Sequence, residues 1–254
     1  MLNGRSGVRD STAREVRAAI ADLERQRDQV RLAGRTFLVD VVMQAPARFS
    51  SAVRAALEAE LPLLRPAVIR ARFHFRETGP AGHLVETLDG IGRRGTQGVI
   101  LKAPDVSEVN ESVACLAARR IPVVTLVTDL PRSPRTAYIG VDNRAAGATA
   151  AYLITQWLGR RPGAVLVTLS RSFFRGEEER EMGFRSALRS MQPGRRVVDV
   201  TETDGLDAAI RGLVVQALKD EAAVPAAYSI GGGNTAILDA FADSGRPAPL
   251  LIAH

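Results

Sequence analysis

The sequence predicts an α/β fold in which two lobes are each built on a parallel β-sheet. Short apolar runs rich in β-branched residues alternate with longer amphipathic stretches from Phe37 onward. This alternation is typical of βαβ units whose strands are buried on both faces. One interruption stands out, because the run 121–127 is followed by a proline-containing turn and a second short run, 137–141, without a helix between them. We therefore expect the chain to leave one Rossmann-like lobe and enter the other near Asp142.

The individual elements follow from the spacing of apolar residues. The predicted strands are short and mostly apolar, and they lie at 37–43, 67–75, 98–101, 121–127, 137–141, 164–168, 197–200, 226–230 and 250–253. The predicted helices repeat apolar residues every three or four positions, and they include 50–61, 106–119, 145–158, 177–191, 206–218 and 234–242. In the helix at 145–158, the residues Ala146, Ala150, Leu153 and Trp157 are spaced to share one apolar face.

The N-terminal segment differs from the rest of the chain. Residues 1–35 carry eight arginines and five acidic residues, which gives +3 of the total net charge of +6. The stretch from Thr12 to Glu15 has the form of a capping box, and Val16, Ile20 and Leu23 follow on one face. A helix is therefore predicted at about 13–25. Its apolar face needs a partner, so we interpret it as the last part of a helical bundle; a solvated helix is the alternative.

Composition disfavours several classes of protein. No apolar run reaches the roughly 18 residues of a membrane span, and the polar residues 1–10 show no signal-peptide pattern. The single Cys115 cannot form an internal disulfide, which favours a reducing, cytoplasmic location. The histidines lack metal-ligand spacing, and no nucleophile elbow or Walker loop is found. We expect no enzymatic activity, no metal or cofactor, and no membrane partner.

Two glycine-rich segments resemble ligand loops. The segment Gly90–Gly95 matches G-x-G-x-x-G, but it ends a helical pattern and precedes a strand, whereas a dinucleotide loop leaves a strand and opens a helix. We interpret it as a helix stop. The segment Gly231–Asn234 does follow a strand and open a helix. Asn234 is therefore a candidate ligand for a hydroxylated molecule, and a tight turn is the alternative reading.

A charged run, 175–181, begins the helix that follows the strand at 164–168. Within it, Arg180 lies on the strand-end side, and Phe174 lies in the preceding loop. An aromatic ring beside a guanidinium can stack on a sugar ring and bind its hydroxyls. The same pair could equally anchor the loop.

Three segments resemble the LacI/GalR family of transcription regulators. Residues 2–20, which read LNGRSGV and then STAREVRAAI around a two-residue link, are similar to the stretch that joins the recognition helix of the family's headpiece to its third helix. Residues 138–143, with the small residues that follow, resemble the crossover strand and first helix of the family's second lobe. Residues 180–188, REMGFRSAL, resemble the family segment R-x-x-G-F-x-x-A-L. The similarity spans nearly the whole chain.

The resemblance implies a helix-turn-helix regulator whose sensor lobes have the periplasmic-binding-protein type I fold. It divides the chain into a headpiece remnant at 1–24, a hinge at 25–35 and an effector-binding domain at 36–254, with lobe one at 36–141 and an incomplete lobe two at 142–254. The recognition helix would precede Met1. We therefore expect the 254-residue form to bind operator DNA weakly, through phosphates. A homodimer is also implied.

The resemblance assigns ligand-binding residues one by one. Arg180 would bind effector hydroxyls, and Phe49 would stack on the ligand from the other lobe with Ser50 beside it. Asn234 falls where the family often has Asn-Asp. A sugar-like effector bound there would move one lobe against the other and change the affinity for a palindromic DNA site.

The sequence departs from the family after the fourth strand. The family's usual Asp-Arg pair is replaced by Val127-Thr128, and Asp129, one position further on, is the candidate ligand there. The implied DNA contacts are Asn3, Arg5 and Thr12.

Two other classes remain open at this stage. A solute-binding protein of a sugar transporter shares the fold, but it would need an export signal and would leave the arginine-rich helix unexplained. A nucleotide-using enzyme of doubly wound type would need a phosphate loop and a catalytic acid or base.

Overall fold

The computed structural model describes residues 10–32, 34–170, 174–203 and 207–254. The α/β fold with two parallel sheets is confirmed, and the predicted strands are all found. The helices are α1 (Asp10–Leu32), α2 (Ala47–Glu60), α3 (Ala81–Arg94), α4 (Ser107–Ala118), α5 (Asn143–Leu158), α6 (Arg175–Met191), α7 (Asp207–Asp220) and α8 (Asn234–Asp243). The strands are β1 (Thr36–Gln44), β2 (Val68–Arg76), β3 (Gly98–Lys102), β4 (Val123–Leu126), β5 (Ala137–Ile139), β6 (Val165–Ser170), β7 (Val197–Thr203), β8 (Ala226–Ser229) and β9 (Leu250–Ala253).

The first sheet has the strand order β2-β1-β3-β4-β5, and every pair is parallel. Successive residues of β1 point to opposite faces. Val42 packs with α3 and α4 on one face, and Val41 and Met43 pack against α2 on the other.

A charged cluster occupies the α3 side of this sheet. The fully buried carboxylate of Asp40 accepts hydrogen bonds from Arg72 (Nη2 to Oδ2, 2.6 Å) and Arg94 (Nη2 to Oδ1, 2.8 Å), and its Oδ1 lies 2.7 Å from His74 Nε2. Burial alone would raise the pKa of Asp40, but these hydrogen bonds and one involving Thr96 outweigh it and lower the pKa to about 2.

The second sheet has the order β7-β6-β8-β9, again all parallel. Helices α5 and α6 cover one face, where Phe184 packs on Tyr228 with ring centroids 4.8 Å apart. Helices α7 and α8 cover the other face around Ile210, Ile237 and Phe241. The chain passes from the first sheet to this layer between β5 and α5, where Asp142 Oδ1 accepts a hydrogen bond from Ala145 N at 2.9 Å.

Strand order reverses direction at one point in each sheet. The chain runs outward from β1 to β2 but then to β3 on the other side, and it does the same around β6. Ligands of open parallel sheets bind beyond the carboxyl ends of the strands at such points. The fold therefore predicts that ligand-binding residues lie beyond the carboxyl ends of β1 and β3 in the first sheet and of β6 and β8 in the second.

The prediction that Leu153 and Trp157 lie on the packed face of α5 is wrong. Leu153 and Trp157 are 45% and 68% exposed, whereas Ala150, Ile154 and Leu158 are buried. Where α6 crosses it, the helix packs through Gly147, because a Cβ atom there would overlap the carbonyl oxygen of Arg180; Ile154 and Leu158 pack further along the same helix.

The glycine segment 90–95 ends a helix, as predicted. Residues 90–94 lie within α3, and Gly95, with φ of 83°, follows it. Only glycine adopts such an angle readily, so the segment stops the helix.

Helix α1 is longer than predicted at both ends. It begins at Asp10, so Thr12 lies inside its first turn instead of preceding it, and it continues to Leu32. Leu23, on its apolar face, is 64% exposed. Asn3 and Arg5 lie outside the described residues, and the division into headpiece remnant and hinge stays a prediction.

Candidate functional site

A cavity of about 390 Å³ lies between the carboxyl ends of the two sheets. This volume falls in the range of small-molecule sites, roughly 300–1,000 Å³. Its walls come from the residues that end or follow eight strands: Ala45–Phe49 after β1, Glu77 after β2, Lys102 in β3, Val127 after β4, Ser170, Phe174, Glu177 and Arg180 around β6 and α6, Asp207 after β7, Ile230–Gly233 after β8, and His254 after β9.

Three of the predicted ligands line this cavity together. Phe49 reaches it from α2, Phe174 immediately precedes α6, and Arg180 lies one turn into α6. Sequence reasoning thus placed residues from both lobes at one site. Their binding roles remain predictions.

The other three candidates do not line the cavity. Ser50 is buried, and its hydroxyl donates to the Ala45 carbonyl at 3.4 Å. Asp129 forms a bidentate ion pair with Arg135 and accepts from Thr125 Oγ1 at 2.8 Å, so its pKa is lowered although burial opposes this. The amide oxygen of Asn234 is buried without a hydrogen-bond partner among the described residues.

Two glycines fix the position of Arg180. A Cβ atom at Gly147 in α5 would overlap the carbonyl oxygen of Arg180, and one at Gly183 in α6 would overlap that of Arg144. The two helices therefore touch backbone to backbone. Gly147 follows the segment 138–143, and Gly183 lies in the segment 180–188, both of which resemble the LacI/GalR family. The close contact between the helices explains why each of these positions is a glycine.

The guanidinium of Arg180 makes little use of its hydrogen-bond donors within the described residues. Its Nη1 lies 3.5 Å from the Ile230 carbonyl, and its Nε is buried without a partner in the described ranges. Burial first, and then the charge of Arg180, lower the pKa of His254 at the same wall.

The carboxylate of Glu177 is held by β6. Its Oε2 accepts hydrogen bonds from Ser170 N at 3.0 Å and from Ser170 Oγ at 2.7 Å. A Cβ atom at Gly231 would come within 2.9 Å of this oxygen, and Gly232 and Gly233 both have positive φ. The three glycines are therefore required by the turn, and they also form a wall of the cavity.

Lys102 is the cation of the first sheet in this cavity. Its Nζ donates to the Gln44 carbonyl at 2.9 Å and lies 3.8 Å from the centroid of the Phe174 ring. Burial lowers the pKa of Lys102 to about 8, Glu177 opposes the decrease, and Arg180 adds to it.

A polar hub joins the lobes at one end of the cavity. Tyr138 Oη donates to the Val127 carbonyl at 3.1 Å and accepts from Asn143 Nδ2 at 3.0 Å. Gly176 N, at the start of α6, donates to Thr128 Oγ1 at 3.0 Å. Val127 adopts φ of 68°, a strained angle for a β-branched residue.

Sequence reasoning missed Lys102, Glu177, Ser170 and His254 as cavity residues. A usable signal existed for Lys102, because the chain has only two lysines among 34 basic residues and this one ends a buried strand. Charge at the carboxyl end of an apolar strand marks a site edge in parallel sheets.

Metal-binding groups and membrane-spanning helices are both absent from the described residues. Over the part of the chain that the structure describes, no three His, Cys, Asp or Glu residues are grouped to hold a metal ion. Among the helices described, none combines the length and apolar character needed to cross a membrane.

Comparison with known proteins supports the α/β fold with two parallel sheets. A glucose-galactose binding protein from Geobacillus stearothermophilus has the same fold, with a TM-score of 0.74 and 20% identity over 87% of this chain and 77% of that one. An ABC transporter solute-binding protein from Burkholderia graminis in complex with D-arabinose matches with a TM-score of 0.77 and 20% identity over 87% of this chain and 76% of that one. A protein from Bacteroides fragilis described as a LacI transcriptional regulator matches with a TM-score of 0.73 and 15% identity over 86% of this chain and 77% of that one. No curated protein sequence matches the chain. The profile of the periplasmic binding protein domain family matches residues 79–253, and the chain therefore belongs to this family.

Proposed function

We propose that the chain is the sensing part of a cytoplasmic transcription regulator, and that it binds a sugar or sugar-like effector between its two sheets. The observation that carries the proposal is the convergence of Phe49, Phe174 and Arg180 on one cavity at the carboxyl ends of both sheets. Aromatic rings pack on the C–H faces of a sugar, and a guanidinium binds neighbouring hydroxyls. This is binding chemistry, so we propose no catalysed reaction.

Two features favour a regulator over a transporter's binding protein. The basic helix α1 precedes the first sheet, and the segment 2–20 resembles the end of a DNA-binding headpiece. The structural relatives named as transport proteins favour the alternative. In the regulator, the polar hub would let one lobe move against the other, and a homodimer would present paired headpieces to operator DNA.

The ligand part of the proposal is tested by thermal shift and titration calorimetry with sugars, polyols, purines and nucleotides. We expect a sugar to raise the melting temperature and Arg180→Ala to weaken its binding at least tenfold. Arg189→Ala is the matched control, because Arg189 lies on the same helix but is exposed; its affinity should stay within twofold. Stabilisation by nucleotides alone would contradict sugar sensing.

The proposed regulatory role is tested with the protein expressed in the cell in which it naturally occurs. DNA crosslinked to it should contain a recurring palindromic site whose occupancy changes when the sugar is added. Recovery of no enriched site, with sugar binding intact, would favour the transport protein.

A further inference from the structure

Lys102 carries a charge that no ion pair among the described residues neutralises, and only the more distant carboxylate of Glu177 favours it. An ammonium group has three donors, and the Gln44 carbonyl accepts one of them. The Phe174 ring, 3.8 Å away, supplies a cation–π contact. No ion pair joins Lys102 to a carboxylate within the described ranges, and burial of an unpaired cation is unfavourable.

Arg180 is a second cation in the same condition. Its one hydrogen bond, to the Ile230 carbonyl, is long at 3.5 Å, and its buried Nε is unpartnered in the part of the chain that is described. Lys102 and Arg180 line the same cavity, one from β3 in the first lobe and the other from α6 in the second, and they are close enough for the charge of Arg180 to lower the pKa of Lys102. The glycine contact packs α6 directly on α5, so Arg180 is held in place within the second lobe.

The acidic residues that line the cavity within the described ranges are already hydrogen-bonded or exposed. Glu177 is bound through one oxygen to two donors of Ser170. Glu77 Oε1 accepts a hydrogen bond from Ala47 N at 2.8 Å, and Asp207 is exposed. Arg48, which also lines the cavity, is exposed as well. Among the described cavity residues that are not exposed, the positive charges of Lys102 and Arg180 therefore exceed the single negative charge of Glu177.

We propose that the ligand is a negatively charged sugar derivative whose carboxylate or phosphate group binds between Lys102 and Arg180. An anion there would accept hydrogen bonds from both cations, and such charge-assisted bonds are among the strongest in proteins. The adjacent ring of Phe174 would pack against the sugar, and the cavity of about 390 Å³ suits a single monosaccharide unit. This inference rests on the proposed sugar-binding function and adds the charge of the ligand.

The test uses matched neutral and acidic sugars in titration calorimetry at pH 7: D-glucose with D-glucuronate, D-galactose with D-galacturonate, and D-glucose with glucose 6-phosphate. We expect the anionic member of at least one pair to bind at least tenfold more tightly than its neutral partner. Lys102→Met should reduce the affinity for the anionic sugar at least tenfold more than it reduces the affinity for the neutral partner.

Lys219→Met is the matched control, because Lys219 is the other lysine of the chain and lies exposed on α7. It should leave all affinities unchanged. The melting temperature of Lys102→Met should equal or exceed that of the unaltered protein, since the substitution removes a buried charge, so a loss of binding is not a loss of folding.

Each outcome separates the inference from the function on which it rests. Neutral sugars that bind as tightly as their acids, or anion binding that survives Lys102→Met, would overturn the anionic ligand and leave sugar binding in place. Binding of the uronates alone identifies a carboxylate, and binding of the phosphate alone identifies a phosphate. Failure of both the neutral and the anionic members to bind would contradict the proposed function as well.

Discussion

The two lobes are built on the same strand order but are packed in different ways. The second sheet has two helices on each face, and its core contains Phe184, Tyr228 and Phe241. The first sheet has α3 and α4 on one face, and in the described residues its other face has α2 over β1 and β2. Ile139, in the edge strand β5, remains 59% exposed.

The difference extends to what holds each lobe together. The second lobe has a backbone contact between two helices at Gly147 and Gly183, so the position of Arg180 is determined by packing. The first lobe has a buried carboxylate, Asp40, surrounded by basic side chains. We infer that stability depends on steric fit in one lobe and on charge in the other, and the following substitutions separate these two contributions.

The largest effect is expected for Asp40→Ala. Removal of one partner of a buried ion cluster leaves the remaining charges uncompensated, at a cost of about 4 kcal/mol. The free energy of unfolding, measured with urea, should fall by this amount. The control Asp243→Ala breaks an exposed ion pair with Arg211 and should change stability far less. Equal effects of the two substitutions would contradict a charge-dependent first lobe.

Acid should reveal the same cluster without a mutation. The pKa of Asp40 is about 2 in the folded protein and near its ordinary value of 3.8 after unfolding. Its contribution is therefore present above pH 4 and is lost as the pH falls toward 2, by about 2 kcal/mol. The difference in unfolding free energy between the unaltered protein and Asp40→Asn should shrink over this interval. A constant difference would show that Asp40 does not stabilise through its charge.

Gly183→Ala tests steric fit in the second lobe. The added Cβ would overlap the Arg144 carbonyl, so α5 and α6 must separate, at a cost of about 3 kcal/mol. Sugar binding should weaken as well, because Arg180 moves with α6. The control Gly212→Ala lies on the exposed side of α7 with open space around it and should stabilise the protein by about 0.5 kcal/mol. A stable Gly183→Ala protein would disprove the close contact.

Lys102→Met should increase stability. The pKa of Lys102 is about 8 when folded and 10.5 when unfolded, so at pH 7 the buried charge destabilises the protein. Its removal should raise the free energy of unfolding by about 2 kcal/mol, after loss of the contacts with Gln44 and Phe174. Between pH 8 and 10.5 the folded lysine loses its proton while the unfolded one keeps it, so the unaltered protein gains stability and the difference declines. Glu177 and Arg180 are the charged groups that act on this titration. A gain that does not change with pH would argue against a buried charge.

The smallest effect is expected for Val127→Gly. Release of the strained φ angle should stabilise the protein, and the greater freedom of glycine in the unfolded chain offsets part of that gain. We expect a net increase of about 1 kcal/mol or less in the free energy of unfolding. A clear loss of stability would show that the Val127 side chain supports the hub.

The sequence predicted the strands and their division between two parallel sheets well, because buried parallel strands are continuous apolar runs. It was less successful for α5, where Leu153 and Trp157 follow helical spacing but face outward. Spacing shows which residues share a face, whereas the approach of α6 determines which face is buried. That approach depends on Gly147 and Gly183, which carry no hydrophobic signal.

The candidate site was predicted in part for a similar reason. Phe49, Phe174 and Arg180 could be assigned from motifs that lie near strand ends. Lys102 contributes through contacts with Gln44 and Phe174, which lie far from it in the chain. Asp129 was assigned to the site, but its carboxylate is engaged by Arg135. Pairings of this kind depend on the three-dimensional fold, because the two partners show no recognisable spacing along the chain.

The polar hub has a mechanical consequence. Its hydrogen bonds cross from Val127 and Thr128 to Asn143 and Gly176, and Val127 also lines the cavity. The bonds lie beside β4 and β5, whereas Glu77 and Asp207 follow the edge strands β2 and β7. If the hub is the pivot, a given angle of rotation displaces the distant side of the cavity through a longer arc than the near side. The aperture then opens on the side of Glu77 and Asp207, so an arriving molecule enters the cavity past the exposed carboxylates of these two residues and the exposed guanidinium of Arg48.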